Sequence, residues 1–227
     1  MTSVLTPFIL LLHVLLKVFH TFTADWGAAI ILLTLTVRSL LFIVNLNNAK
    51  QQLIQTRIAP KLKELRQKYE KDATKLSTET MQLYRASGLK PFSMVISAVV
   101  QMPIFFSLYR LFGSHGPSMT SLLLPWLDTL GQTDPYYIVP ILCAALQFIG
   151  FMIPLTGEHR QQEPVPISKR LILPLIFTAA FSFFLIHAPA ALALYWTASA
   201  AFALLERAFY RIPFGRKLVT RGVPDLD

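Results

Sequence analysis

The chain has 227 residues, of which 54% are hydrophobic and only 15% are charged, and its formal net charge is +9. Soluble domains carry about one quarter charged residues, and one soluble core of this length cannot bury so much apolar surface, so the excess is expected to face lipid. The single cysteine, Cys143, excludes a disulfide framework and a CxxC metal pair within these residues.

The first 24 residues combine an apolar sequence with a polar stripe. Thr6, His13, Lys17 and His20 recur at spacings of seven, four and three, which places them on one side of a helix. Such a stripe on an apolar helix is typical of a helix that lies in the membrane interface. We predict an interfacial helix over residues 1–24 on the outer side of the membrane; the alternative is a sixth, short span.

Five later segments have the length and hydropathy of membrane-spanning helices, which need about 20 mostly apolar residues. They predict an all-α membrane protein with a five-helix core over residues 25–209 and a basic tail over residues 210–227. The predicted spans are residues 26–44, 92–112, 136–155, 171–187 and 190–209.

The positions of the basic residues predict how the spans are oriented. Segment 45–91 holds ten Lys and Arg, loop 113–135 holds none, loop 157–170 holds three, and the tail holds four. Cytoplasmic loops carry the excess of Lys and Arg. The N-terminus is therefore predicted outside and the C-terminus in the cytoplasm.

The long basic segment 45–91 has a helical pattern of its own. Apolar residues at helical spacing lie on both sides of Lys71 and Asp72, and Asp72 can cap a second helix. Gly88 is predicted to end that helix, before Pro91 opens the next span. The segment is expected to form a helical hairpin whose charged face is either solvated or docks a partner.

Arg38 is the most informative residue inside a predicted span. It lies seven residues before Asn45, about 10 Å from the cytoplasmic end of the span. An arginine that faced lipid there would cost about 2.5 kcal/mol or more. No Asp or Glu lies in the middle of any predicted span. Arg38 either snorkels to the headgroups or lines a wet cavity in which it can bind an external anion.

Further polar side chains within the spans could keep such a cavity wet, although each alone could be a helix-packing contact. Since no carboxylate lies in the middle of a span, a proton-coupled carrier is disfavoured, and no catalytic constellation or cofactor-binding motif indicates an enzyme. The polar residues are Thr34, Thr36, Ser97, Gln101, Gln147, Ser182, Thr197 and Ser199.

Several short strings then make the chain similar to a known family. They occur in the family's order and spacing and cover residues from about 25 to 210. The chain resembles the YidC/Oxa/Alb insertases, in the bacterial YidC form that lacks a large extracytoplasmic domain. The strings are Asp25–Gly27 with Thr36–Arg38, Gly88–Pro91 with Gln101–Phe105, Leu124–Asp128 with Asp134–Ile138, and Pro189–Trp196.

This resemblance implies a five-helix core around a hydrophilic groove that is open to the cytoplasm and to lipid and closed outside, in the bacterial plasma (inner) membrane. It implies that Arg38 draws in acidic N-terminal tails of substrates, that the hairpin is needed for activity, and that the basic tail helps to contact ribosomes. The remaining residues predicted to line the groove are Gln101, Gln147, Trp196, Thr34, Ser97 and Ser199.

The implied partners are nascent membrane proteins, the ribosome, the lipid bilayer and, in one mode, the Sec translocon, without a nucleic-acid function beyond ribosome contact and without a cofactor. Two departures from the family's pattern leave fewer polar residues in the predicted lining of the groove. Gly150 and Phe151 stand where many relatives carry glutamine, and Ala200 stands where an asparagine is common. The alternatives are a small-solute or ion channel or carrier that uses the same cavity, and a structural assembly factor.

Overall fold

The computed structural model of the protein describes residues 2–90, 93–155 and 167–224. Within these residues the regular structure is helical and no strand is present, which confirms the predicted all-α class. The helices are α1 (Thr2–Thr23), α2 (Trp26–Leu40), α3 (Phe42–Lys68), α4 (Ala73–Ser87), α5 (Ser93–His115), a 3-10 turn (Gly116–Ser118), α6 (Ile138–Met152), α7 (Ile167–Ile186), α8 (Ala190–Phe209) and α9 (Pro213–Thr220).

The predicted span and the helix have the same ends at α8, whereas α2 ends before its predicted span does. The predicted span 190–209 has the same ends as α8. By contrast, α2 stops at Leu40, because Leu41 forms a turn before α3 starts at Phe42. Phe42 packs in a second apolar cluster with Tyr210. At Phe42 the apolar run therefore continues past the end of α2 into a different core.

A criterion of length and hydropathy identifies few spanning helices among the described residues. The Thr6–Thr23 part of α1 meets this criterion by itself. The helices α2 and α3 meet it only when they are taken together as one pair across Leu41. α6 and the Pro174–Ile186 part of α7 are apolar but shorter. The five-span count and the interfacial position of α1 stay predictions.

The polar stripe of α1 is partly directed at the protein itself. The ring of His20 stacks on Trp26 at 3.9 Å between centroids, and the ring of His13 lies 4.3 Å from that of His115. On the same helix Leu16 is fully buried. Two of the four stripe residues therefore have aromatic partners in the folded chain, so the stripe alone does not require contact with headgroups.

The first of two compact units comprises Met1–Leu41, Val99–Ile153 and Pro166–Glu206. α1 packs on α2, and α6 packs on α7. Close packing of apolar side chains holds these helices together, because between helices that face lipid the stabilisation comes from van der Waals contact and not from removal of apolar surface from water. The fully buried residues of this core include Leu16, Ile30, Leu33, Leu108, Leu111, Phe112, Leu130 and Leu192.

The second unit comprises Phe42–Ala98, Pro154–Val165 and Arg207–Asp227, and α3 packs against both α4 and α9. The caps predicted for its hairpin are confirmed. Asp72 accepts a hydrogen bond from the first turn of α4, and Gly88 ends α4 in the left-handed region at φ 69°. Glycine adopts this region without strain, which explains the sharp end of the helix.

Candidate functional site

Arg38 lies in the last turn of α2 and is half-buried. Its Nε atom is fully buried and has no hydrogen-bond partner, and no ion pair joins it to another described residue. A rise of 1.5 Å per residue places it about 20 Å along α2 from the N-cap Asp25. Buried polar groups are normally satisfied, so this guanidinium can bind an anion or water.

The buried hydroxyl groups of the first unit fall into two classes. Thr34 is fully buried, and its hydroxyl donates to the carbonyl of Ile30 in its own helix at 2.7 Å. Ser199 is also buried, but its Oγ has no hydrogen-bond partner, and neither have the buried hydroxyls of Ser107 and Thr178. Ser107 and Thr178 were not among the predicted groove residues, although a hydroxyl in an apolar helix was the available signal.

Gln101 and Trp196 lie in one neighbourhood. The Nε2 of Gln101 donates to the hydroxyl of Tyr195 at 3.2 Å, which joins α5 to α8. The ring of Trp196 lies 5.3 Å from that of Phe105 and 5.1 Å from that of Phe181. This part of the unit pairs one polar contact with an aromatic wall. The sequence analysis missed Tyr195, because its role depends on a residue 94 positions away.

Gln147 is occupied within its own helix, where its Nε2 donates to the Sγ of Cys143 at 3.3 Å. The adjoining contact with α8 is made by Thr197, whose hydroxyl donates to the carbonyl of Ala193 in its own helix at 2.8 Å and lies 3.3 Å from the carbonyl of Val139. Among the described residues, no hydrogen bond joins Arg38 to the other predicted groove residues. The side chain of Ser97 lies outside the described residues.

The connection between α5 and α6 folds over the N-terminus of α8. Its apolar residues Met119, Leu124, Leu127 and Leu130 are buried in the core of the first unit. Ala191 N–H donates to the carbonyl of Leu130 at 2.9 Å, and Ala190 N–H donates to that of Gln132 at 2.8 Å. The first N–H groups of α8 would otherwise be unsatisfied. This connection therefore closes one end of the unit.

Two glycines allow two stretches of this connection to pack backbone against backbone. A Cβ atom on Gly131 would lie 2.6 Å from the carbonyl carbon of Gly116, and one on Gly116 would lie 2.7 Å from the Cα of Gly131. Backbone therefore meets backbone at a distance that no other residue type allows. The glycines are required here for close approach, since neither has a positive φ.

Asp134 fixes the end of the connection to the start of α6. Its Oδ1 accepts hydrogen bonds from the indole Nε1 of Trp126 and from the amide of Tyr136, both at 3.1 Å, and its Oδ2 accepts from the amide of Val139 at 2.8 Å. Only 2% of Asp134 is exposed. The carboxylate therefore satisfies the buried amide of Val139 and two partly buried donors.

Asp25 ties the same connection to α2. Its carboxylate caps α2 through the amide of Ala28 at 2.7 Å and also accepts hydrogen bonds from the hydroxyl of Ser121 at 2.9 Å and from the amide of Leu122. Burial would raise the pKa of Asp25, but these hydrogen bonds outweigh it and hold the pKa below its ordinary value. The charged form is therefore favoured in the folded protein.

This depressed pKa predicts acid sensitivity. The stability that Asp25 contributes is present above the pKa of the unfolded chain, about 3.9, and is lost as the pH falls through the lower pKa of the folded state. We expect Asp25→Asn to lower the thermal midpoint in detergent at pH 7, and the gap to the parent to narrow below about pH 4. Thermal unfolding followed by circular dichroism checks this; a gap that stays constant to pH 2.5 would contradict it.

The first unit thus has a closed end, formed by the α5–α6 connection, and an unpaired arginine about 20 Å away along α2. A family model described as "60Kd inner membrane protein" matches residues 18–215. The chain belongs to this family. The family consists of inner membrane proteins, and its match confirms the resemblance to YidC insertases on which the prediction depended.

Curated relatives named "Membrane protein insertase YidC" cover most of the chain. The Wolinella succinogenes protein is 36% identical over 199 residues, which are 87% of this chain and 36% of that protein. The proteins of Helicobacter pylori and Campylobacter jejuni are each 33% identical, over 86% and 85% of this chain and 34% and 35% of theirs. The chain spans about one third of the length of these relatives.

A solved structure shares the fold. The crystal structure of an active YidC insertase with its first transmembrane domain resolved matches with a TM-score of 0.65 at 23% identity, over 92% of this chain and 46% of that chain. The relatives described here are named as insertases, and these comparisons do not support the channel or carrier alternative.

Proposed function

We propose that this chain is a membrane protein insertase that places transmembrane segments of other proteins into the plasma membrane and assists their folding. One observation carries the proposal. Arg38 is half-buried within the first unit, its Nε has no partner, and one end of that unit is closed. A cation in this position can hold an anion that enters from the opposite end.

The proposed mechanism follows from solvation. A polar tail that crosses hydrocarbon loses the water around its charges and backbone, which is costly, and a wet groove shortens the dry part of the path. Arg38 holds an acidic tail through charge-assisted hydrogen bonds. Burial of the following apolar segment in lipid then supplies the driving force that releases the tail outward.

The other predicted groove residues are assigned by their contacts. Ser199, with an unpartnered buried hydroxyl, and Gln101 supply polarity, whereas Trp196 supplies an aromatic wall for the apolar segment. Thr34 and Gln147 shape the wall, since each donates a hydrogen bond within its own helix. Ser97 is retained as a groove residue from its place in α5.

The orientation and the partners are parts of the same proposal. The N-terminus lies outside and the C-terminus in the cytoplasm, because the hairpin and the tail carry most of the Lys and Arg. The substrates are nascent membrane proteins, which reach the groove from the ribosome either directly or beside the Sec translocon. The hairpin faces the cytoplasm, where the charged sides of α3 and α4 are accessible to these partners.

A complementation experiment tests this function. Cells depleted of their own insertase express the chain, and insertion of a single-span substrate with an acidic N-terminal tail is followed by protease accessibility of that tail. We expect the tail to become accessible from the outer side. Failure of a well-expressed, membrane-located chain to restore insertion would contradict the proposal, and ion conductance of substrate-free liposomes would point to a pore.

A further inference from the structure

The segment around α9 is basic. Residues 207–224 contain five Lys and Arg and no Asp or Glu, and the acidic residues Glu206, Asp225 and Asp227 flank them in the sequence. The segment also exposes large apolar side chains, since Phe214 is 65% exposed and Ile212 is 49% exposed. Basic and apolar side chains exposed together on a short helix are the combination that binds the surface of an anionic bilayer.

One face of α9 is fixed against the second unit. Val219 is fully buried in a cluster with Leu53 and Tyr210. Gly215 is buried as well, and a Cβ atom there would lie 2.0 Å from the carbonyl oxygen of Phe209. The glycine therefore lets α9 approach the end of α8 more closely than any side chain would allow.

The chain that follows α9 is held to α3. The Nζ of Lys50 donates to the carbonyl of Arg221, and an Nη of Arg57 donates to the carbonyl of Pro224, both at 3.0 Å. Contacts on both sides of α9 therefore determine which of its faces points outward.

The outward face combines the two kinds of side chain in register. Phe214 lies one turn from both Lys217 and Leu218 on α9, and Arg221 follows directly as the C-cap of the helix. Phe214, Lys217 and Arg221 are exposed, and Leu218 is half-buried. An apolar ridge with two cations beside it remains open.

The position of this face favours lipid as its occupant. Only residues 210–212 separate α9 from the apolar helix α8, and the ring of Phe214 lies 6.2 Å from that of Phe209 at the end of α8. α8 coincides with the predicted fifth span, so a helix this close to its end is expected at the depth of the headgroups. The cations beside Phe214 match the charge of lipid phosphates.

We infer that α9 is an interfacial anchor, in which Ile212 and Phe214 enter the boundary between headgroups and acyl chains while Lys217 and Arg221 bind the phosphates of anionic lipids. The anchor fixes the basic end of the chain to the leaflet where α8 ends. It requires that the chain lies in a membrane but not that it inserts other proteins, so it can fail or hold independently of the proposed function.

Spin labels on the full chain in lipid nanodiscs test the anchor. A label at Phe214→Cys is compared with one at Gln67→Cys, an exposed position near the end of α3, both in a Cys143→Ala background. With phosphatidylglycerol present, we expect oxygen to reach the label at position 214 and a water-soluble nickel complex to be excluded, at a depth of about 5–10 Å. The label at position 67 should be reached by nickel.

A charge variant tests the phosphate contacts. Lys217→Gln with Arg221→Gln should move the label at position 214 toward water in phosphatidylglycerol nanodiscs, whereas the charge-conserving pair Lys217→Arg and Arg221→Lys should leave its depth unchanged; circular dichroism verifies that all variants fold. The anchor would be overturned if nickel reached the label at position 214 as readily as the label at position 67. It would also be overturned if the depth of the label changed neither with the charge variant nor with the lipid composition. Protection that appears only when ribosomes are added would overturn it in favour of a ribosome contact.

Discussion

Arg38→Ala is expected to lower insertion of a substrate with an acidic N-terminal tail by about tenfold to hundredfold in the complementation experiment. A hydrogen bond to a charged group contributes about 1.5–3 kcal/mol, and about 1.4 kcal/mol corresponds to one factor of ten. The loss should be specific, because Arg38 has no partner within the described chain and its removal leaves no buried carboxylate unpaired.

Three controls separate this role from a structural one. Arg38→Lys keeps the positive charge but not the planar guanidinium group, and it should retain part of the activity. Arg110→Ala removes an exposed arginine of α5 and should have no effect. A substrate whose tail acids are changed to Asn and Gln should lose its dependence on Arg38. Equal insertion by the parent and by Arg38→Ala would reduce Arg38 to a snorkelling residue.

Asp134→Ala is expected to be the most destabilising change in the α5–α6 connection, with a loss of about 3 kcal/mol or more. The substitution leaves three donors without an acceptor, namely the indole of Trp126 and the amides of Tyr136 and Val139. The amide of Val139 is buried and the other two donors are partly buried, and a buried donor without a partner costs about 1–3 kcal/mol. The thermal midpoint in detergent, followed by circular dichroism, measures the effect.

Asp134→Asn provides a milder test of the same prediction. Its amide oxygen can still accept the two hydrogen bonds now made to Oδ1, but its NH₂ group would face the donor of Val139, so an intermediate loss is expected. Asp128→Ala provides the matched control, since Asp128 is exposed in the same connection and should change the midpoint little. A midpoint for Asp134→Ala that equals that of Asp128→Ala would show that the three bonds contribute nothing measurable.

Local signals made part of the fold predictable from the sequence. The hairpin caps Asp72 and Gly88 were found because capping uses residues of the helix itself. The start of α8 was found because Pro189 precedes it. The break at Leu41 was not found, because Phe42 continues the apolar run of α2 while it packs in the other unit. An apolar pattern gives the amount of buried surface but not which core buries it.

The candidate site could likewise be predicted only in part. That Arg38 lacks a carboxylate partner could be predicted, because the spans contain no central acids. The anchoring of Asp25 to Ser121 and the bond between Gln101 and Tyr195 could not, since these pairs are 96 and 94 positions apart in the sequence. Only the folded backbone brings such side chains together.

The contact between Gly116 and Gly131 has a consequence for the order in which the protein is made. Both glycines, and the hydrogen bond from Leu130 N–H to the carbonyl of Met119, lie close together in sequence. Contacts of short sequence separation form early, because little loop entropy is lost. We therefore expect the connection to form before Ala190 leaves the ribosome, so that α8 docks onto carbonyl groups that are already in place.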